Sequence, residues 1–188
     1  LKADPGVEMT FDESISLYNG GKLIFSGTET DSIYFFPAGD FDWGGILFEG
    51  TSDDAVFESD TLYVDGSIFS YCEFINAGNE LLIDASGKDI YISHCIFGNI
   101  NNAIHCGQNS VLQSFTIENA NGFGINGGGY FSDLFITGNN GYGIQTVNNV
   151  AQYFDCIVEN NSGNGIYGGG YFSDIIASNN TGYGIRSN

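Results

Sequence analysis

The seven residues GGGYFSD occur twice, beginning at Gly127 and at Gly168, which sets a repeat of 41 residues (168 minus 127). A shorter period lies inside it. The pairs Gly124-Ile125, Gly143-Ile144, Gly165-Ile166 and Gly184-Ile185 are spaced 19, 22 and 19 residues apart. A period near 20 that carries alternating apolar residues marks a solenoid. Each repeat is then one coil, and it buries its apolar face only against its neighbours.

From Tyr71 onward the coils can be laid over one another. Phe74, Phe97, Ile117, Ile136, Val158 and Ala177 fall at one position. Two residues earlier come Cys72, Cys95, Phe115, Leu134, Cys156 and Ile175. Residues at i and i+2 of a strand share a face, so both sets are expected to point inward. Stacked coils sit about 4.8 Å apart, which turns each set into an internal ladder. Ile104, Ile125, Ile144, Ile166 and Ile185 form a third ladder.

The corners account for glycine, 28 of 188 residues, and for asparagine. Asn99, Asn119, Asn160 and Asn179 recur just after the inward pair, with Gly138 in the remaining coil. Asparagine tolerates left-handed backbone, and its amide can bond the amide above and below. Gly122, Gly141, Gly163 and Gly182 mark the next corner, where positive φ is expected. The GGG runs lack a following Lys-Ser/Thr and a strand-to-helix setting, so they are not phosphate loops.

Residues before Tyr71 are less regular. They read as short strands between turns, with no helical period. Within residues 5–50, PGVEMTF, GGKLIFSGTETDSIYF and DWGGILFEG resemble segments of right-handed parallel β-helix proteins. Those proteins belong to the broad pectin-lyase-like fold and are frequent among secreted and cell-surface proteins of Bacteroidota-type bacteria. The resemblance implies an all-β, right-handed parallel β-helix and an extracellular or cell-surface setting. Residues 1–188 form one domain of about eight coils, 19–23 residues each. Residues 1–70 are the irregular coils and 71–188 the regular ones. The last residues, GYGIRSN, stop mid-coil, which reads as a fragment of a longer chain.

Charge narrows the partners. Four Lys and Arg stand against 23 Asp and Glu, a net charge of −19. Nucleic acid, anionic membrane and acidic polysaccharide are disfavoured, and divalent cations are permitted. No apolar run is long enough for a membrane span. Cys72, Cys95 and Cys156 share the inward position and Cys106 follows Ile104 by two, so all four read as buried apolar thiols. His94 and His105 alternate outward without metal-ligand spacing. Asn160-Asn161-Ser162 and Asn179-Asn180-Thr181 match the glycosylation sequon, which Asn-rich corners also produce by chance.

Chemistry is concentrated on the outward neighbours of the inward pair. One column reads Tyr71, His94, Ser114, Asp133, Asp155, Asp174. The next reads Ile96, Thr116, Phe135, Ile157, Ile176, and a third holds Glu118, Thr137, Glu159 and Ser178. Asp133, Asp155 and Asp174 then stand on consecutive coils. Three readings follow: a Ca²⁺ site, a catalytic carboxylate set acting on a glycan, or solvated corner residues that bond backbone. Lyases of this fold need a basic residue, and Lys88 and Arg186, the basic residues of the regular coils, do not align with the column. The expectation is a non-catalytic extracellular scaffold, adhesive or filament-forming, that requires no cofactor. Copies would associate end to end or laterally through Phe135, Ile157 and Ile176, with carbohydrate as a further possible partner. The alternative is a glycan-active enzyme using the aspartate column.

Overall fold

The computed structural model describes residues 1–59, 61–146 and 150–187, and the backbone alone for 78–80. The described residues form strands and turns with no helix. The strands stack in parallel into a solenoid, and three ladders run through its interior. Ala3, Phe25, Phe69, Ile92, Leu112, Phe131, Tyr153 and Phe172 pair in succession along the first face. Met9, Phe35, Phe74, Phe97, Ile117, Ile136, Val158 and Ala177 do so along the second. Leu17, Ile46, Ile83, Ile104, Ile125, Ile144, Ile166 and Ile185 form the third. Each ladder has eight members, one per coil.

Successive members of the first ladder are 19 to 23 residues apart, except Phe25 and Phe69, which differ by 44 (69 minus 25). The long step holds an insertion. Val56–Phe57 and Tyr63–Asp65 pair antiparallel as a small hairpin outside the solenoid. Phe57 and Tyr63 lay their rings against Tyr91, an outward residue of the first face, at centroid distances of 6.2 and 5.3 Å. The scarce lysines pin the insertion at both ends. Lys22 bonds Asp65, and Lys88 lies 3.7 Å from Asp54, whose carboxylate also accepts the Asp89 N–H. The Lys22 contact holds the Asp65 carboxyl below its ordinary range.

The core is almost wholly apolar. Phe25, Phe35, Phe69, Phe74, Phe97 and Phe131 are fully buried, and Phe74 stacks on Phe97 at 5.0 Å and 10°. Burying one such ring contributes about 1.5–3 kcal/mol. Trp43 closes one corner of the second coil. It is fully buried, stacks on Phe11 at 4.3 Å and donates its indole N–H to the Ile75 carbonyl.

Two columns of left-handed backbone bracket the strands of the second face. Tyr71, His94, Ser114, Asp133, Asp155 and Asp174 have φ of 50 to 56°. Five residues later, Asn76, Asn99, Asn119, Asn160 and Asn179 have φ of 50 to 57°, and Gly138 has 70°. A single left-handed residue reverses the local curl of an extended chain, so each coil turns sharply on one residue. Asn and Asp tolerate this conformation better than other non-glycine residues.

Two expectations are corrected. Gly122, Gly141, Gly163 and Gly182 do not adopt positive φ. They are glycine because the coils touch there: a Cβ on Gly163 would lie 2.8 Å from the Gly141 carbonyl oxygen, and one on Gly182 would lie 2.4 Å from the Asn164 amide oxygen. Positive φ belongs instead to the GGG runs. Gly129 has φ of +123°, and its Cβ would fall 2.0 Å from the Ser110 carbonyl oxygen. The side-chain amide ladder is likewise displaced by one residue. It is built by Asn139, Asn161 and Asn180, which follow the left-handed position, and not by Asn119, Asn160 and Asn179. Asn139 Nδ2 donates to Asn161 Oδ1 at 2.8 Å, and Asn161 Nδ2 donates to Asn180 Oδ1 at 2.9 Å. The same oxygens accept the backbone N–H of Asn139 and Asn161.

Asn161 is 1 % exposed, so its partners have no water to turn to. Leaving buried donors unsatisfied costs about 1–3 kcal/mol each. Asn161→Ala should destabilise the fold by at least about 2 kcal/mol in urea unfolding. Asn160→Ala, one residue away and solvent-exposed, should cost the left-handed preference and a long exposed bond to Thr137, about 1 kcal/mol together.

Candidate functional site

The aspartate column exists. Asp133, Asp155 and Asp174 are exposed and occupy consecutive coils, as the pairings Ser132 with Phe154 and Phe154 with Ser173 require. They do not lie within a flat strand face, however. Each is the left-handed corner residue between the first and second faces. The backbone there supplies a sufficient reason for aspartate, since the same left-handed column holds Ser114, and the second left-handed column, five residues on, holds asparagine or glycine. Asp174 accepts a hydrogen bond from the Ser173 hydroxyl at 2.7 Å. Among the described residues, no group of three or more His, Cys, Asp or Glu side chains is placed to hold a metal ion.

The carboxylates act on one neighbour. Burial pushes the Cys156 thiol up to about 11, and Asp133 and Asp155 add to that by opposing a second negative charge. Burial also raises Cys106 to about 12, and it raises Cys72, which has Cys95 beside it. The four cysteines are free and buried. Their Sγ–H groups reach backbone carbonyls, as Cys156 does to Phe131 and Phe154. Buried and bonded in this way, the thiols serve as small apolar side chains of the core.

The outward residues of the second face form the expected stripe. Ile96, Thr116, Phe135, Ile157 and Ile176 pair coil by coil. Ile96 is 48 % exposed, Phe135 38 % and Ile176 53 %, while Ile157 is half-buried between its neighbours. Glu118, Thr137, Glu159 and Ser178 run alongside. The inserted hairpin covers the first face instead and leaves this stripe open. Ile75 adds a further exposed apolar residue to the same face.

A concave region lies on the first face. Between the hairpin and the first face lie cavities of about 500 and 360 Å³. Their aromatic lining comes from Tyr63, Tyr71 and Tyr91 on one side of the hairpin and from Phe57 and Tyr130 on the other. The sequence does place Tyr71 and His94 at the head of the aspartate column. What it does not disclose is that residues 56–65 fold back over Tyr91.

No protein-family model, curated protein or solved structure matches the chain. The fold therefore stands on its own geometry: an all-β parallel solenoid of about eight coils.

If the backbone chose the aspartates, amide should replace carboxylate without penalty. Asp155→Asn is expected to change stability by less than about 0.5 kcal/mol, and Asp155→Ala to cost about 1 kcal/mol. A calcium role predicts otherwise: melting temperature would rise with added Ca²⁺ in the native protein and not in Asp155→Asn. Thermal melts with and without Ca²⁺ separate the two.

Proposed function

We propose that the protein is a non-catalytic scaffold of the cell surface or extracellular space, and that the second face is its contact surface. One observation carries this reading. A straight apolar stripe, Ile96 to Ile176, stands open on a rigid sheet and is flanked by acidic and polar columns. Aligned apolar surface of this kind marks interaction sites on soluble proteins. The resemblance of residues 5–50 to secreted β-helix proteins supports the setting, and the scarcity of basic residues supports the absence of uronate chemistry. Among the described residues, no helix is long and apolar enough to cross a membrane.

The occupant is a second copy of the chain in lateral contact. Two such stripes are flat and straight, and the stacked coils give both the same repeat along the axis, so side chains of one can seat between those of the other. The net charge of −19 opposes the approach, so association should strengthen as salt screens it. End-to-end stacking is the competing geometry.

The alternative is a hydrolase built on Asp133, Asp155 and Asp174. It asks the column to be more than a run of left-handed corners, and Asp155→Asn would then abolish turnover of a neutral glycan.

Sedimentation velocity from low to moderate salt tests the scaffold reading. The native protein should form salt-promoted dimers or larger species, and Phe135→Asp combined with Ile176→Asp should sediment as a monomer. Association that survives in the double variant would transfer the contact to the coil ends. A native protein that is monomeric throughout would remove self-association altogether.

A further inference from the structure

The backbone at Tyr71 is the least expected feature of the first face. Its φ is +50°, a conformation that a bulky residue adopts rarely and at a cost. The equivalent corners of later coils carry Ser114, Asp133, Asp155 and Asp174, which the conformation suits better. The next corner, His94, has φ of +54° and lays its imidazole on the Tyr71 ring, centroids 4.5 Å apart and 13° from parallel. The chain thus holds two aromatic rings at corners where small polar residues serve the fold.

Both rings open into the 500 Å³ cavity beneath the hairpin. Opposite them, Tyr63 projects from the hairpin, and its phenol donates to the Gly66 carbonyl at 2.8 Å. Tyr91 forms part of the floor, and its hydroxyl accepts a hydrogen bond from Gln113 Nε2 at 2.7 Å. Among the described residues, no Lys, Arg, Asp or Glu side chain lines this cavity, in a chain with 23 acidic residues. Burial, with the nearby Asp65 carboxylate, raises the Tyr63 phenol above its ordinary value.

We propose that this groove binds a neutral oligosaccharide. Sugar rings present apolar C–H faces and a rim of hydroxyls. Tyrosine offers a rigid apolar face with a polar tip at small entropic cost, and amide and hydroxyl groups fix orientation. The cavity volume falls in the usual range for small-molecule sites, about 300–1,000 Å³. The strong negative charge of the chain turns away uronate polymers. An extended peptide fits less well, because strand addition needs free backbone, and here the corner backbone is already used between coils. Tyr71 N–H donates to the Ser93 carbonyl, and His94 N–H to that of Gln113. This inference uses the first face and stands independently of the lateral contact on the second.

Tyr71→Asn separates binding from folding. Asparagine suits the left-handed corner, so the variant should melt at or above the native temperature. Tyr63→Ala, outside the solenoid, is the second variant. Affinity electrophoresis would use gels carrying hydroxyethylcellulose, arabinoxylan, galactomannan or soluble starch, with polygalacturonate as the acidic comparison. The native protein should be retarded by at least one neutral polymer and not by polygalacturonate. Both variants should bind that polymer at least tenfold more weakly. The proposal is overturned if no neutral polymer retards the native protein, or if the variants are retarded equally. Retardation by polygalacturonate alone would also overturn it, as would selection of Tyr71-dependent binders only from a displayed peptide library.

Discussion

The structure depends on turning an extended chain through a corner in one residue, coil after coil. Among the described residues, twelve non-glycine residues have positive φ, and eleven of them fall in two columns that bracket the second face. Because each corner takes one residue, the strand between them keeps its register. The inward residues of one coil then lie directly over those of the next. Without the left-handed step the corner would lengthen, and neighbouring coils would drift out of alignment. From the third coil onward, the interior ladders rest on that local geometry.

Packing completes what the corners begin. A ring in a ladder touches the ring above and the ring below, so the core is continuous and has no single centre. The Phe74–Phe97 stack shows the pattern, as does the stack of Tyr153 on Phe172 at 4.6 Å and 6°. Polar groups enter where they bond the backbone, as Ser67 and Ser110 do, or one another. The Asn139, Asn161 and Asn180 amides form one such chain, and among the described residues no buried side-chain nitrogen or oxygen lacks a partner. Close approach at Gly141 and Gly163 lets the coils touch through bare backbone at the opposite corner.

Much of this is legible in the sequence. Inward ladders are an alternation of apolar residues at a fixed period, and Phe74, Ile104 and Cys156 each lie where that alternation puts them. The errors have a common cause. Residue type alone points to positive φ at Gly163 and to an amide ladder at Asn160, but glycine can answer either to φ or to crowding, and sequence does not distinguish them. The choice between Asn160 and Asn161 for the amide ladder turns on which side chain faces inward after a left-handed step, which the step itself decides. The hairpin was missed for a different reason. Val56–Phe57 and Tyr63–Asp65 are too short to show a period, and their partner, Tyr91, is a full coil away.

The same corners shape the surface. They hold three aspartates in a line and two aromatic rings at its head, while the strand beside them presents an apolar stripe. Corner geometry is therefore the central claim, and NMR can measure it without mutation. Positive φ brings the amide proton close to its own Hα and gives a strong intraresidue cross-peak in a NOESY spectrum. The account predicts strong peaks at Tyr71, His94, Ser114, Asp133, Asp155 and Asp174, and again at Asn99, Asn119, Asn160 and Asn179, with weak ones at the strand residues between. Weak peaks at both columns would contradict it.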